Sequence, residues 1–153
     1  MTKNNRPSDL ANRLHTTSIH LLRGLRDVDE QAGISARRLS ALSVIVFAAP
    51  ITLTDLAAAE QVSLPTTSRM MKDMEADGLV ERVPDPDDKR SVRIQATPKG
   101  QALFDDARQR RVESIAERIQ SLTAEQLALL EEAASLLEKI TLPPNHPHRS
   151  EDW

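Results

Sequence analysis

Thr52 to Ala96 reads TLTDLAAAEQVSLPTTSRMMKDMEADGLVERVPDPDDKRSVRIQA, and the order of its elements decides the fold. Thr52 or Thr54 opens a short helix, TDLAAAEQ, whose small side chains let a crossing helix come close. Ser63 caps the next helix, with Pro65 in the first turn, where no intrahelical N–H bond is needed. Gly78 ends that helix. Leu79 to Val83 reads as a strand and DPDDKR as a polar turn containing Pro86. Ser91 to Thr97 reads as a second strand, with Val92, Ile94 and Ala96 on one face and Arg93 and Gln95 on the other.

Helix, tight turn, helix and hairpin is the order of a winged helix-turn-helix. In LPTTSRMMKDMEAD the residues Thr67, Met70, Met71 and Met74 recur at i, i+3, i+4 and i+7 and so face inward. Pro65, Thr66, Arg69 and Lys72 then face outward, with Ser68 at the edge. Hydroxyls and two cations on an N-terminal half suit a helix entering the major groove by that end. Arg can hold guanine O6 and N7 together, and the free backbone N–H groups can meet phosphate. Taken alone, the same helix also reads as an ordinary surface helix with solvated charges.

The hairpin shifts that balance. Lys89 and Arg90 follow Asp85, Asp87 and Asp88 in the turn. A wing that tracks DNA needs a cation at its tip, because a narrow minor groove concentrates negative potential. Asp88 can hold Arg90 extended by pairing with it. The plainer reading is a turn kept soluble by mixed charge. A metal loop of Asp85, Asp87 and Asp88 ranks last, since it lacks both the turn glycine and the terminal Glu of a calcium loop.

Outward from this stretch the chain is helical. Asp9 caps a helix to about Ala32, with Gly33 past its end. Leu10, Leu14, Leu21, Leu25 and Val28 form one stripe, with Ile19 and Leu22 beside it. Two apolar faces imply contact with both the helix's own domain and another surface. Ser35 caps a second helix, with Leu39, Leu42, Val46 and Phe47 inward and Pro50 as its stop. After Thr97-Pro98 a helix runs to about Ser121 through Leu103, Phe104, Ala107, Val112, Ile115 and Ile119, with a polar RQRR in its middle. Thr123 and Gln126 form a capping box flanked by Leu122 and Leu127. The last helix again carries two stripes, and Pro143-Pro144 stops it.

Composition narrows the function. The chain has 153 residues, 2% aromatics (Phe47, Phe104, Trp153) and no cysteine. Stacking platforms for single strands, disulfides and thiolate metal sites are therefore not expected. No apolar run approaches a membrane span, and MTKNNRPSD lacks the apolar core of a signal peptide, so a cytoplasmic protein is expected. No Gly-rich phosphate loop or His–carboxylate–Ser motif appears. No enzyme, catalytic set, cofactor or metal site is expected. The net charge of −3 opposes a simple nucleic-acid reading and keeps alive a winged-helix protein-interaction module that does not bind DNA.

With these motifs in place, the chain resembles the MarR family of bacterial winged-helix regulators, from about Leu10 to Ile140. The most specific part is Thr52 to Gly100. There Met74 stands where leucine is usual, followed by Gly78-Leu79-Val80-Glu81-Arg82. Asp88-Lys89-Arg90 lies in the wing and Thr97-Pro98-Lys99-Gly100 comes after it. Leu64 and Pro65 fill positions often polar in the family.

The resemblance implies a mainly α fold with a small β-hairpin wing. One domain spans 1–153, with a winged helix-turn-helix lobe at about 35–97, dimerisation helices at about 10–32 and 101–141, and a loose tail at 143–153. It implies a homodimeric, sequence-specific regulator of double-stranded DNA with a pseudo-palindromic operator. Repression is the family default, released by a small aromatic or phenolic ligand. The carried-over DNA contacts are Pro65, Thr66, Ser68, Arg69, Lys72, Lys89 and Arg90, with Arg38 and Thr54 at helix starts that meet phosphates. The candidate effector residues are His15, His20 and Arg23 on the first helix, with Arg26 beside them.

Overall fold

The computed structural model describes residues 6–85 and 91–141. Along them run α1 (Arg6–Gly24), α2 (Arg26–Gln31), α3 (Ala36–Ala48), α4 (Leu53–Ala59) and α5 (Leu64–Ala76). The hairpin strands β1 (Val80–Pro84) and β2 (Val92–Ala96) follow, then α6 (Pro98–Ile119) and α7 (Ala124–Thr141). The mainly α class with one antiparallel hairpin is the one the sequence predicts.

The caps explain most boundaries. Ser35, Thr52 and Thr97 each sit in extended backbone and accept a hydrogen bond from the amide three residues on, at Arg38, Asp55 and Gly100. Thr52, of the two candidates, therefore opens α4. Thr123 and Gln126 make both bonds of the capping box, at 3.0 and 3.3 Å. Ser63 is the exception: its hydroxyl bonds the Thr66 hydroxyl, at 2.8 Å, rather than a backbone amide.

The turn between α4 and α5 is closed by Val62 N–H donating to the Ala57 carbonyl at 3.0 Å. Gln61 takes the left-handed conformation there (φ 53°), a turn usually given to glycine. At the end of α5 Gly78 does the same with φ 71°.

The first helix departs from expectation. It is already helical at Arg6, the first described residue, so Asp9 lies inside it rather than at its cap, and it breaks after Gly24 instead of running to Ala32. Glycine is a poor helix former, and the Gly24 carbonyl is taken by Arg118 Nη2 of α6 at 2.9 Å. Of the predicted inward stripe only Leu25 is buried. Val28 is half-buried, and Leu10, Leu14 and Leu21 are exposed. No residue of α1 or α7 is buried in the single chain.

The core lies under the winged lobe. Leu39, Ala41, Leu42 and Ile45 of α3 meet Leu56 of α4, Met70, Met71 and Met74 of α5, Ile94 of β2, and Phe104 and Ala107 of α6. Val46 and Phe47, predicted inward, are half-buried against this cluster. Phe47 packs edge-on to Phe104, with ring centroids 5.5 Å apart.

The hairpin pairs Val80 with Ala96, Arg82 with Ile94 and Pro84 with Val92. Ile51 adds a third rung by exchanging both backbone bonds with Ile94, at 2.8 and 3.0 Å. Behind the hairpin the chain passes very close to itself. A Cβ on Gly100 would stand 2.0 Å from the Leu79 carbonyl oxygen, so only glycine fits in the first turn of α6.

Candidate nucleic-acid interface

The methionine spacing sets the rotation of α5. Thr67, Met70, Met71 and Met74 are buried, as their periodicity predicts. The Thr67 hydroxyl is satisfied by the Ser63 carbonyl at 3.2 Å, so its burial leaves no orphan. Pro65, Thr66, Arg69 and Lys72 are exposed on the opposite side, and Ser68 is half-buried at the edge. One acidic residue of the helix, and the aspartate that caps its C-terminus, are occupied. Glu75 Oε2 accepts from Arg82 Nε at 3.1 Å, and Asp77 pairs with Arg38. Arg69 and Lys72 form no ion pair among the described residues, which leaves the N-terminal half of the exposed face cationic.

The remaining predicted contacts fall in different places. Thr54 is exposed in the first turn of α4. Arg38 lies in the first turn of α3, but its guanidinium is directed onto Asp77 at the end of α5. Lys89 and Arg90, and the proposed Asp88–Arg90 pairing, lie outside the described residues. What is described is the stem that carries them. Asp85 N–H donates to the Ser91 carbonyl at 3.1 Å. Arg93 binds the nearly buried Asp85 carboxylate at 2.7 Å and reaches the Pro50 carbonyl at 3.3 Å. The wing stem is thus tied to the α3–α4 connection. Asp85 is committed to Arg93, and Asp87 and Asp88, the other members of the aspartate loop, lie outside the described residues.

His15, His20 and Arg23 are all exposed on α1. A cavity of about 250 Å³ lies elsewhere, between α3 and α6, lined by Leu39, Ser40, Ser43, Phe104, Arg108 and Arg111. None of the three predicted effector residues lines it. Sequence reasoning missed it, although Phe104, Arg108 and Arg111 share one helix face at i, i+4 and i+7. It also missed the bond that orders this wall. Asp29 of α2, 1% exposed, is held by Arg111 through two hydrogen bonds of 2.6 and 2.7 Å. Beside Arg111 on α6, Arg110 is held above its ordinary pKa by its hydrogen bond and charge pairing with Asp106.

A short helix, a left-handed turn, a second helix with a cationic hydroxyl-bearing face, and a pinned hairpin define a winged helix-turn-helix protein. The MarR family profile matches residues 34–92. An uncharacterized HTH-type transcriptional regulator of Mycobacterium leprae is 32% identical over 84% of this chain and 90% of its own. The multiple antibiotic resistance protein MarR of Salmonella typhimurium is 34% identical over 70% of this chain and 73% of its own. A solved mutant of Escherichia coli MarR, complexed with operator DNA, shares 31% identity at a TM-score of 0.66, covering 91% of this chain and 97% of that one. The chain belongs to the MarR family of helix-turn-helix transcriptional regulators.

Proposed function

We propose that this regulator is a homodimeric repressor that binds a pseudo-palindromic duplex, with α5 in the major groove and the Lys89–Arg90 turn over the minor groove. The observation that carries the reading is the α5 face, where Thr66, Arg69 and Lys72 are exposed opposite a buried methionine face. The relative solved with operator DNA supports it. Net charge −3 does not oppose it, because Glu75 and Asp77 are already paired and affinity depends on charge at the contact.

The second copy is called for by the terminal helices. Leu22 of α1 and Leu129, Leu136 and Ile140 of α7 are each at least 61% exposed. Such apolar surface marks an association face. Pairing two lobes through α1, α6 and α7 would set two recognition helices roughly 34 Å apart, one turn of duplex.

For the effector, the α3–α6 cavity replaces His15, His20 and Arg23 as the favoured site. Phe104 and Leu39 offer an apolar wall, Arg108 a guanidinium, and Ser40 and Ser43 hydroxyls, while Arg111 is committed to Asp29. A single-ring aromatic or phenolic anion fits that chemistry and size. It would release DNA only by favouring a conformer with the wrong helix spacing.

The test is a titration of duplex DNA from upstream of the chain's own gene, at several salt concentrations, beside an unrelated duplex. Specific binding that weakens steeply with salt supports the reading, since phosphate contacts release counterions. Binding to neither duplex at low salt would leave the protein-interaction module as the better account.

A further inference from the structure

The two ends of α5 are held differently. At the N-terminal end the side-chain bonds are local, between Ser63, Thr66 and Thr67. At the C-terminal end two other helices reach in. Arg38 in the first turn of α3 pairs with the Asp77 carboxylate, and Lys99 in the first turn of α6 donates to the Asp77 carbonyl at 2.7 Å. Thr97 adds a bond from its hydroxyl to the Gly78 carbonyl at 2.6 Å. Arg38 is laid down on the lobe rather than extended: its Nε is buried and has no hydrogen-bond partner.

We infer that Arg38 and Asp77 form a positioning clamp that fixes the angle at which the recognition helix leaves the lobe, so that Arg38 acts on DNA through α5 and not by touching phosphate. This rests on the proposed function. The reasoning is mechanical. The buried methionines fix which face of α5 points outward, but they are flexible side chains and tolerate small tilts. A short bond at the far end of a 13-residue helix turns a small tilt there into a displacement at the groove end. An exposed ion pair adds little to stability. Its effect is therefore expected in the precision of binding more than in the melting temperature.

The clamp and the phosphate-contact reading predict opposite signs for one substitution. Asp77→Asn removes a negative charge and releases Arg38. If Arg38 is a phosphate ligand, operator binding tightens. If the pair is a clamp, operator binding weakens by about fivefold, the range an exposed ion pair can supply. The unrelated duplex is bound as before, and the salt slope is unchanged.

Arg38→Gln provides a second arm. The clamp predicts the same loss with an unaltered slope, whereas a phosphate ligand predicts a slope lower by about one. The exchanged pair Arg38→Asp with Asp77→Arg should recover most of what Arg38→Asp alone loses. Melting curves show that each variant is folded. Tighter binding by Asp77→Asn, a reduced slope in Arg38→Gln, or no recovery in the exchanged pair each overturns the clamp while leaving the DNA reading intact. Failure of the unsubstituted protein to bind any duplex removes both.

Discussion

The winged lobe and the terminal helices carry similar apolar sequence and use it in opposite ways. In the lobe, Leu42, Ile45, Leu56, Met71, Met74 and Ile94 are at most 2% exposed, and they come from four elements that close on one another. In α1 and α7 no residue is buried, although both carry apolar residues at helical spacing. A stripe at helical spacing says that a face will be covered, and leaves open whether the same chain covers it. The lobe is finished by its own chain. The terminal helices leave their apolar faces open in the single chain.

Four substitutions probe this contrast, in order of falling effect. Arg111→Met acts at the seam between the regions, where α2 meets α6. It strands the Asp29 carboxylate, 1% exposed, without its partner. A loss of about 3–5 kcal/mol in urea unfolding is expected, and a loss below 1 kcal/mol would show that water reaches Asp29. Leu42→Ala empties a fully buried site in the lobe. It should cost about 2–5 kcal/mol, and a smaller loss would mean that the cluster collapses easily around the vacancy.

Arg69→Ala leaves the fold alone and should lower operator affinity by about 1–3 kcal/mol, relaxing selectivity at one base pair per half-site. An unaltered operator titration would remove Arg69 from the reading face. Leu129→Glu, at a site 65% exposed, should alter the intrinsic stability of the lobe by no more than about 0.5 kcal/mol. In light scattering it should shift dimer toward monomer, and a mass that stays unchanged would separate α7 from the subunit contact.

What could be read in advance follows the same division. The rotation of α5 was legible because four residues at spacings of three, four and seven admit one inward face, and Met70, Met71, Met74 and Thr67 all point there. The caps at Ser35, Thr52 and Thr97 were legible because capping is a bond across three residues. Partners far apart in the chain were not. Nothing local marks Asp29 as the mate of Arg111, 82 positions away, or Arg38 as the mate of Asp77. Arg38 sits at a helix start that can meet phosphate, and nothing in its neighbourhood of the sequence shows that Asp77 takes its guanidinium. The break at Gly24 was hidden for a related reason: the group that takes its carbonyl, Arg118, comes from α6. The α3–α6 cavity needed one further step, matching the spacing of Phe104, Arg108 and Arg111 against that of Ser40 and Ser43.

The missing side chain at position 100 has a consequence for motion. With the Leu79 carbonyl seated where a Cβ would stand, and Thr97 bonded to both Leu79 and Gly78, the start of α6 and the root of the hairpin behave as one rigid elbow. Sliding along that joint would sever the backbone bond from Thr97 to Leu79. The start of α6 is thereby coupled to the exit of the recognition helix, and even a methyl group at residue 100 would loosen that linkage.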